Sequence, residues 1–237
     1  YEGENTVMLL QTSRYLIKAY NLSTSGKKLG GSVSYLTDNM NQRCPITADL
    51  NLDDLVNAYK FRAARQVVKV GRKMSKLIGS GNPEYEARNL AGVDLCKAST
   101  AHCHYWIVKN FVDQIRKSGA SPGGEKVLTQ LCQLYALYGI DQNSGEFLED
   151  GYLSGAQLGL IEDSMLRLLA EVRLNAVALV DAFDFRDHLL QSVLGRYDGN
   201  VYENLYKWAQ QSPLNKTQVH ESYYKYLKPM MTEKSKL

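Results

Sequence analysis

Residues 51–81 read NLDDLVNAYKFRAARQVVKVGRKMSKLIGSG, and this stretch carries the start and stop signals of one long helix. The helix is predicted to start after Asn51, because Asp53 and Asp54 then fall in its first turn, where carboxylates interact favourably with the helix dipole. It is predicted to end at Gly79-Ser80-Gly81. One clearly delimited helix of this length favours a helical architecture, and the same start and stop signals can be sought in the rest of the chain.

Similar signals divide the remaining sequence into helices. The five prolines fall in loops, at helix starts or in the tail, where a missing N–H costs little. Ser154 and Gln157 form the pattern of a capping box, which marks a helix amino terminus. No segment alternates apolar and polar residues long enough to indicate a sheet. The sequence therefore predicts an all-α fold, a helical bundle, with further helices at about 6–20, 83–117, 122–139, 155–180, 186–193, 201–211 and 216–227.

Composition narrows the class of protein. The chain has 237 residues, of which 44% are hydrophobic and 22% charged, so it can bury a substantial core and is neither disordered nor a membrane bundle. A formal charge of +3 is too small to indicate nucleic-acid binding. The four cysteines lack the short spacing of a zinc or redox motif, so we expect reduced, packed thiols and no metal site. Sixteen tyrosines are a weak indication of packed interfaces.

The opening residues Tyr1-Glu2-Gly3-Glu4-Asn5 form a turn that leads directly into the first helix. This is typical of the interior of a longer protein, and we expect a fragment or a processed piece. Acidic residues at a helix start are most simply a solvated turn that the dipole favours. The sharper interpretation is a catalytic base: a Glu on a glycine-bearing turn can point into a cleft, where burial raises its pKa towards neutrality.

Two histidines lie in the third predicted helix, at His102 and His104. Their spacing places them on different sides of the helix, so they cannot bind one metal ion from a single face. His102 continues the apolar series Ala91, Leu95, Ala98, His102, Tyr105, which favours a packed, hydrogen-bonded histidine. A small-ligand pocket between helices that uses both histidines, a possible secondary ligand site, is the minority interpretation.

The last three residues, Ser235-Lys236-Leu237, match the carboxy-terminal address that the peroxisomal import receptor binds. A given tripeptide at one fixed position arises by chance on the order of once in several thousand chains, so the match is informative. The polar residues after Lys228-Pro229 predict a flexible tail, 228–237, that a receptor can reach. The sequence therefore predicts a peroxisomal protein.

Several segments together resemble peroxisomal acyl-CoA oxidases. The resemblance covers essentially the whole chain, in order. The segments that carry it are YEGENTVMLLQ at 1–11, AHCHY at 101–105, AVALVDAFDF at 176–185, SVLGRYDGNVYENL at 192–205, SPLN at 212–215 and the terminal SKL.

The resemblance implies a reaction and its participants. These enzymes use FAD to introduce a trans-2 double bond into fatty acyl-CoA and reduce O₂ to hydrogen peroxide, the first step of peroxisomal β-oxidation. Glu2 matches the base that removes the α-proton. Glu4 is expected to contact the adenosine portion of FAD, with Asn5 as a weaker neighbour. Where related dehydrogenases carry Thr, this chain has Glu4. A homodimer is also implied, because the cofactor is contacted from both subunits.

The resemblance also implies a domain organisation and leaves two alternatives. Residues 1–44 correspond to the end of the first carboxy-terminal helical domain, and 45–227 to the second. Most cofactor and substrate contacts lie upstream, so the isolated chain is expected to be inactive. One alternative is an acyl-CoA dehydrogenase, which peroxide production distinguishes. The other is a non-catalytic helical scaffold for dimerisation or import, which flavin absorbance distinguishes.

Overall fold

The computed structural model of the chain describes residues 3–38 and 41–232. Within these residues the structure is helical and contains no β-strand, which confirms the predicted all-α class. The α-helices are α1 (Asn5–Thr24), α2 (Leu52–Gly79), α3 (Glu84–Leu90), α4 (Gly92–Lys117), α5 (Pro122–Gln142), α6 (Ser144–Leu148), α7 (Gly155–Arg173), α8 (Ala176–Asp181), α9 (Asp187–Leu190), α10 (Val201–Gln211) and α11 (Lys228–Thr232). Short 3₁₀ segments occupy Gly31–Thr37, Glu149–Gly151 and Pro213–Asn215, and Tyr223–Leu227 forms a π-helical turn.

The long helix α2 is the centre of the bundle, and α4 and α1 pack against it. Small residues face the contact: Ala58, Ala63, Ala98 and Ala101 are all at most 1% exposed. Such residues let helix backbones approach closely. At Gly71 the Tyr20 ring of α1 packs directly on the α2 backbone, because a Cβ atom there would overlap the ring. The bundle core therefore holds α1 by close packing of its second half.

A second pair of helices, α5 and α7, completes the bundle. Ser154 and Gln157 form the predicted capping box at the start of α7. The Gln157 side chain also donates to the carbonyls of Cys44 and Ile46, at 2.9 and 3.0 Å. Gln157, the third residue of the helix in the capping box, therefore also ties α7 to the segment that precedes α2.

The chain divides into two compact units, Tyr1–Asn175 and Ala176–Leu237. The first contains α1 to α7 and a continuous apolar core. In the second, Val193 is the one buried apolar side chain among the described residues, and the helices are short. A division at Cys44, expected from the domain organisation of the resembling family, is not where these compact units separate, and that domain boundary stays a proposal.

The structure corrects several predicted helix boundaries. The helix predicted from 83 to 117 is two helices, because the backbone leaves the helical conformation at Ala91. The helix predicted to reach Val180 ends at Arg173 and is followed by the separate α8. The helix predicted over 216–227 begins only at residue 221, and its part from Tyr223 to Leu227 is π-helical rather than regular. Helical backbone also extends to Thr232, where a flexible tail was predicted, and Pro229 lies within it, two residues after the π-helical turn ends.

Candidate functional site around the start of the first helix

A tight turn and a side-chain cap define the start of α1. Gly3 has a φ of +80°, in the left-handed region that glycine adopts without strain. Glu4 is the N-cap of α1: Oε1 accepts from the Thr6 N–H at 2.9 Å, and Oε2 accepts from the Val7 N–H at 2.8 Å. The predicted turn followed by a helix is therefore present. Glu2, the predicted base, lies outside the described residues.

The Glu4 carboxylate is held in its charged form by the helix that it caps. Hydrogen bonds from the backbone N–H groups of Thr6 and Val7 lower the pKa of Glu4 below its usual value. Each carboxylate oxygen has two acceptor positions, so the cap leaves Glu4 able to accept further bonds. Glu4 and Asn5 are both exposed. A group bound beside Glu4 would therefore meet an anionic acceptor.

A buried serine connects the start of α1 to the bundle. Ser99, on α4, is 0% exposed, and its hydroxyl donates to the Leu9 carbonyl on α1 at 2.8 Å. By contrast, Val7 and Met8 on the preceding turn are more than half exposed. The described part of the chain therefore covers little of the first turn of α1, and Ser99 bonds to the turn that follows.

A cavity of about 650 Å³ lies beside this part of α1. Thr6, Leu9 and Leu10 line one side of it, and α4 lines another. Arg62, Asn143 and Glu146 contribute the polar part of the lining. The cavity thus lies between the first two turns of α1 and a cluster of polar side chains around Arg62.

Arg62 is the centre of that cluster and is 1% exposed. Its Nε donates to Glu146 Oε2 at 2.6 Å, and its Nη2 donates to Asn143 Oδ1 at 2.9 Å. Its guanidinium carbon also lies 5.5 Å from the centre of the Phe147 ring. Both acceptors lie where α5 ends and α6 begins, so these charge-assisted hydrogen bonds hold α2 against that junction.

His104 belongs to the Arg62 cluster. Arg62 Nη1 lies 3.1 Å from His104 Nδ1, and since arginine only donates, this nitrogen must accept. His104 is therefore neutral, with its proton on Nε2. Burial, together with the Arg62 cation, lowers the pKa of His104, while Glu146 acts in the opposite direction.

His102 points to a different environment from His104. It is buried, and its Nδ1 lies 2.7 Å from the hydroxyl of Tyr35, itself 3% exposed. Burial lowers the pKa of His102. The predicted apolar series from Ala91 to Tyr105 is buried throughout. The structure thus gives the two histidines separate partners, and it does not bring them to one pocket.

Other predicted features of the chain can be placed in the same way. All four cysteines are free thiols, and Cys44 and Cys132 are buried. Across residues 3–38 and 41–232, no cluster of three metal-ligating side chains occurs. Nor does any described helix have the length and apolar composition that crossing a bilayer requires. Ser235, Lys236 and Leu237 lie outside the described residues.

A family model for acyl-CoA oxidases matches residues 51–232, which is most of the chain. The chain belongs to the acyl-CoA oxidase family. Its sequence is 52% identical to peroxisomal acyl-coenzyme A oxidase 1 of Mus musculus over 242 residues, covering 98% of this chain and 36% of that protein. It is 42% identical to peroxisomal acyl-coenzyme A oxidase 2 of the same species over 240 residues, covering 98% of this chain and 35% of that protein.

Solved acyl-CoA oxidases have the same helical arrangement. The structure superimposes on acyl-CoA oxidase-1 of Caenorhabditis elegans, complexed with FAD and ATP, with a TM-score of 0.88 and 39% identity, over 98% of this chain and 35% of the other. The tomato acyl-CoA oxidase gives a TM-score of 0.86 at 34% identity, over 98% of this chain and 36% of the other. The chain therefore spans about a third of the length of the acyl-CoA oxidases that it matches.

The sequence analysis did not predict that Arg62 centres a buried polar cluster or that Ser99 bonds α4 to α1. Arg62 stands four residues after Ala58 on the face of α2 that is buried, and a charged residue in an apolar series is a signal that could have identified it. Ser99 has no comparable signal, because a serine next to Ala98 is common on any helix. Its importance appears only when Leu9, 90 residues earlier, is brought beside it.

Proposed function

We propose that the complete protein is an FAD-dependent acyl-CoA oxidase that converts fatty acyl-CoA to trans-2-enoyl-CoA and reduces O₂ to hydrogen peroxide. Membership of the acyl-CoA oxidase family carries this proposal. The geometry at the start of α1 supports it, because Gly3 and Glu4 form the turn and cap that follow Glu2.

Glu2 is assigned as the base. Its carboxylate takes the α-proton of the acyl-CoA as a hydride leaves the β-carbon, so that the α–β bond becomes double. A carboxylate suits this role when its position is fixed, and the Gly3 turn with the capped helix behind it provides a fixed support. Bound FAD supplies the hydride acceptor, and in an oxidase the electron pair passes on to O₂.

Glu4 and Asn5 are assigned to the adenosine portion of the cofactor. The fit depends on charge: Glu4 is an anion, and the N–H groups of Thr6 and Val7 are already bonded to it. Glu4 is therefore a poor partner for a phosphate but a good acceptor for a ribose hydroxyl or an adenine amino group. Replacing Glu4 by Gln should weaken FAD retention in the complete protein; unchanged retention on gel filtration would remove the assignment.

Peroxide measurement tests the proposed activity. The complete protein, supplied with a fatty acyl-CoA in air, should release one hydrogen peroxide for each enoyl-CoA. Enoyl-CoA formation that requires an added electron acceptor and yields no peroxide would make it a dehydrogenase instead. The 237-residue chain alone should be colourless and inactive; flavin absorbance in that preparation would contradict the proposed dependence on upstream domains.

We also infer peroxisomal localisation through the terminal Ser235-Lys236-Leu237, which the import receptor would bind. The mouse relatives named as peroxisomal support this inference. Deleting the three residues should leave catalysis intact and retain the protein in the cytosol. Continued import in cells without a full-length copy would place the signal elsewhere.

A homodimer and the family's domain organisation complete the proposal. Residues 1–44 are assigned to the end of the first carboxy-terminal helical domain, 45–227 to the second and 228–237 to the tail. The helical region is expected to supply much of the dimer contact. Light scattering of the active complete protein should give twice the subunit mass, and a single-subunit mass would refute the dimer.

A further inference from the structure

The start of α1 is bonded to the rest of the bundle at very few points. In the described residues, side-chain hydrogen bonds join α1 to another element at two places. One joins Tyr15 to Ser32 at 3.3 Å, in the second half of the helix, where both groups are exposed. The other is the bond from Ser99 to the Leu9 carbonyl, in the first half. Among the side-chain hydrogen bonds of the described residues, the Ser99 bond is therefore the one that joins the first half of α1, which carries the turn, to another helix.

The Ser99 bond has the properties of a rigid anchor. The hydroxyl is fully buried and the bond is short, at 2.8 Å, so water does not compete for it. Ser99 is the eighth residue of the 26-residue helix α4, two turns from its start, and α4 is itself packed on α2. Leu9 lies five residues after the Glu4 cap, or about 7.5 Å along the helix axis. A small tilt of α1 about this point would therefore move the turn.

We propose that Ser99 is a positioning residue for Glu2, acting through the Leu9 carbonyl of α1. The proposal rests on the proposed function of Glu2 as the base. Ser99 itself touches neither substrate nor cofactor in this account. Its hydroxyl holds the first two turns of α1 against α4, so that the carboxylate meets the α-proton in one orientation. A base displaced by about 1 Å loses a large part of its effect.

The chain contains a matched control for this proposal. Ser13 is also a buried serine, at 1% exposure, and its hydroxyl also donates to a backbone carbonyl, that of Leu10 at 2.7 Å. The difference is that Leu10 lies on the same helix, so the Ser13 bond joins α1 only to itself. Ser13→Ala and Ser99→Ala thus remove the same group from the same kind of environment, and only one of them releases α1 from α4.

The test uses the complete enzyme with FAD bound. Ser99→Ala should lower kcat about tenfold and leave KM within about twofold. The kinetic isotope effect with α-dideuterated acyl-CoA should increase, because proton removal becomes slower relative to the other steps. Ser13→Ala should leave kcat and the isotope effect near the wild-type values even if it lowers the melting temperature equally. Equal kcat values for the two variants would overturn the proposal.

A third variant separates the hydrogen bond from simple volume and covers the case in which Ser99→Ala does not fold. Ser99→Cys fills the same space with a much weaker donor. A kcat close to that of Ser99→Ala supports the hydrogen bond, whereas recovery of wild-type kcat assigns the effect to packing and overturns the proposal.

Glu2→Gln distinguishes failure of the positioning role of Ser99 from failure of the base assignment of Glu2. If Glu2→Gln is inactive and Ser99→Ala is normal, the positioning role alone fails. If Glu2→Gln is active, the base assignment itself fails.

Discussion

The two compact units bury their apolar residues to very different extents. Residues 3–38 and 41–175 form a continuous core in which helices pair along small residues, whereas residues 176–232 bury Val193 alone among their apolar side chains. In the second unit Tyr197 and Tyr202 are more than 80% exposed, and Leu194 is 78% exposed. Large apolar side chains exposed together mark surfaces that a partner or another domain covers. Among the described residues, apolar burial is thus concentrated in the first unit, and little apolar burial holds the second together.

The largest expected effect is a difference in stability between the units within the isolated chain. Each unit contains one tryptophan, Trp106 or Trp208, so variants that retain a single tryptophan report one unit at a time. In Trp208→Phe the Trp106 fluorescence should report one unfolding transition of the first unit, with a free energy of unfolding of several kcal/mol. In Trp106→Phe the Trp208 signal should change at much lower denaturant, because little apolar surface holds that unit together. Coincident transitions would contradict the comparison.

Arg62 provides the largest effect of a single substitution on the first unit. Arg62→Met keeps the length of the side chain but leaves Glu146 and Asn143 without their donor, which should cost about 3–5 kcal/mol. Arg72, ten residues later on α2 and exposed, is the matched control, and Arg72→Met should change stability by less than about 0.5 kcal/mol. Urea unfolding followed by Trp106 fluorescence gives both values. A loss below 1 kcal/mol for Arg62→Met would mean that the cluster does not hold α2.

Gly71 tests the close approach of α1 and α2. Gly71→Ala forces a Cβ atom into the Tyr20 ring and should destabilise the first unit by about 1–3 kcal/mol. Gly79→Ala, at the end of the same helix with open space around the new Cβ, should have little effect or stabilise slightly. If both variants had the same unfolding midpoint, the helices would be farther apart than the structure shows.

A smaller, gradual effect is expected on lowering the pH. Burial lowers the pKa values of His102 and His104 in the folded state, so the unfolded chain binds protons first. Above about pH 6.5, the ordinary histidine pKa, both histidines are neutral in the folded and the unfolded chain. Below that pH the unfolded chain takes up protons that the buried histidines do not, so the free energy of unfolding falls. The Trp106 melting temperature should therefore decline between pH 6.5 and 5. The double variant His102→Asn, His104→Asn should flatten this decline, and an unchanged slope would assign it to other groups.

The contrast between the units also explains what the sequence could predict. The ends of α2 and the capping box at Ser154 depend on residues within a few positions, and both were predicted correctly. The break at Ala91 was missed because buried apolar residues keep a helical spacing on both sides of it, at Ala87 and Leu95. The helix end at Arg173 was missed because apolar residues continue from Leu174. The start and the regular geometry of the 216–227 helix were wrong, in the unit with the smaller core, where local pattern has little packing to support it.

For the candidate site, the sequence predicted local chemistry but not long-range contacts. The Gly3 turn and an acidic cap at Glu4 follow from neighbouring residues. The Arg62 cluster joins residues up to 84 positions apart, and Tyr35 reaches His102 over 67, so neither could be read from spacing. Those contacts exist only once α2 and α4 are packed, which is why the structure rather than the sequence identified Arg62 and Ser99.

Flavin reduction in Glu2→Gln tests the central claim most directly. Glutamine keeps the shape of the side chain and removes its basicity, so the complete protein should bind FAD as the wild type does. When it is mixed with fatty acyl-CoA in a stopped-flow instrument without oxygen, loss of the flavin absorbance should be at least about a hundredfold slower than in the wild type. Bleaching at the wild-type rate would show that another group removes the α-proton and would contradict the assignment of Glu2.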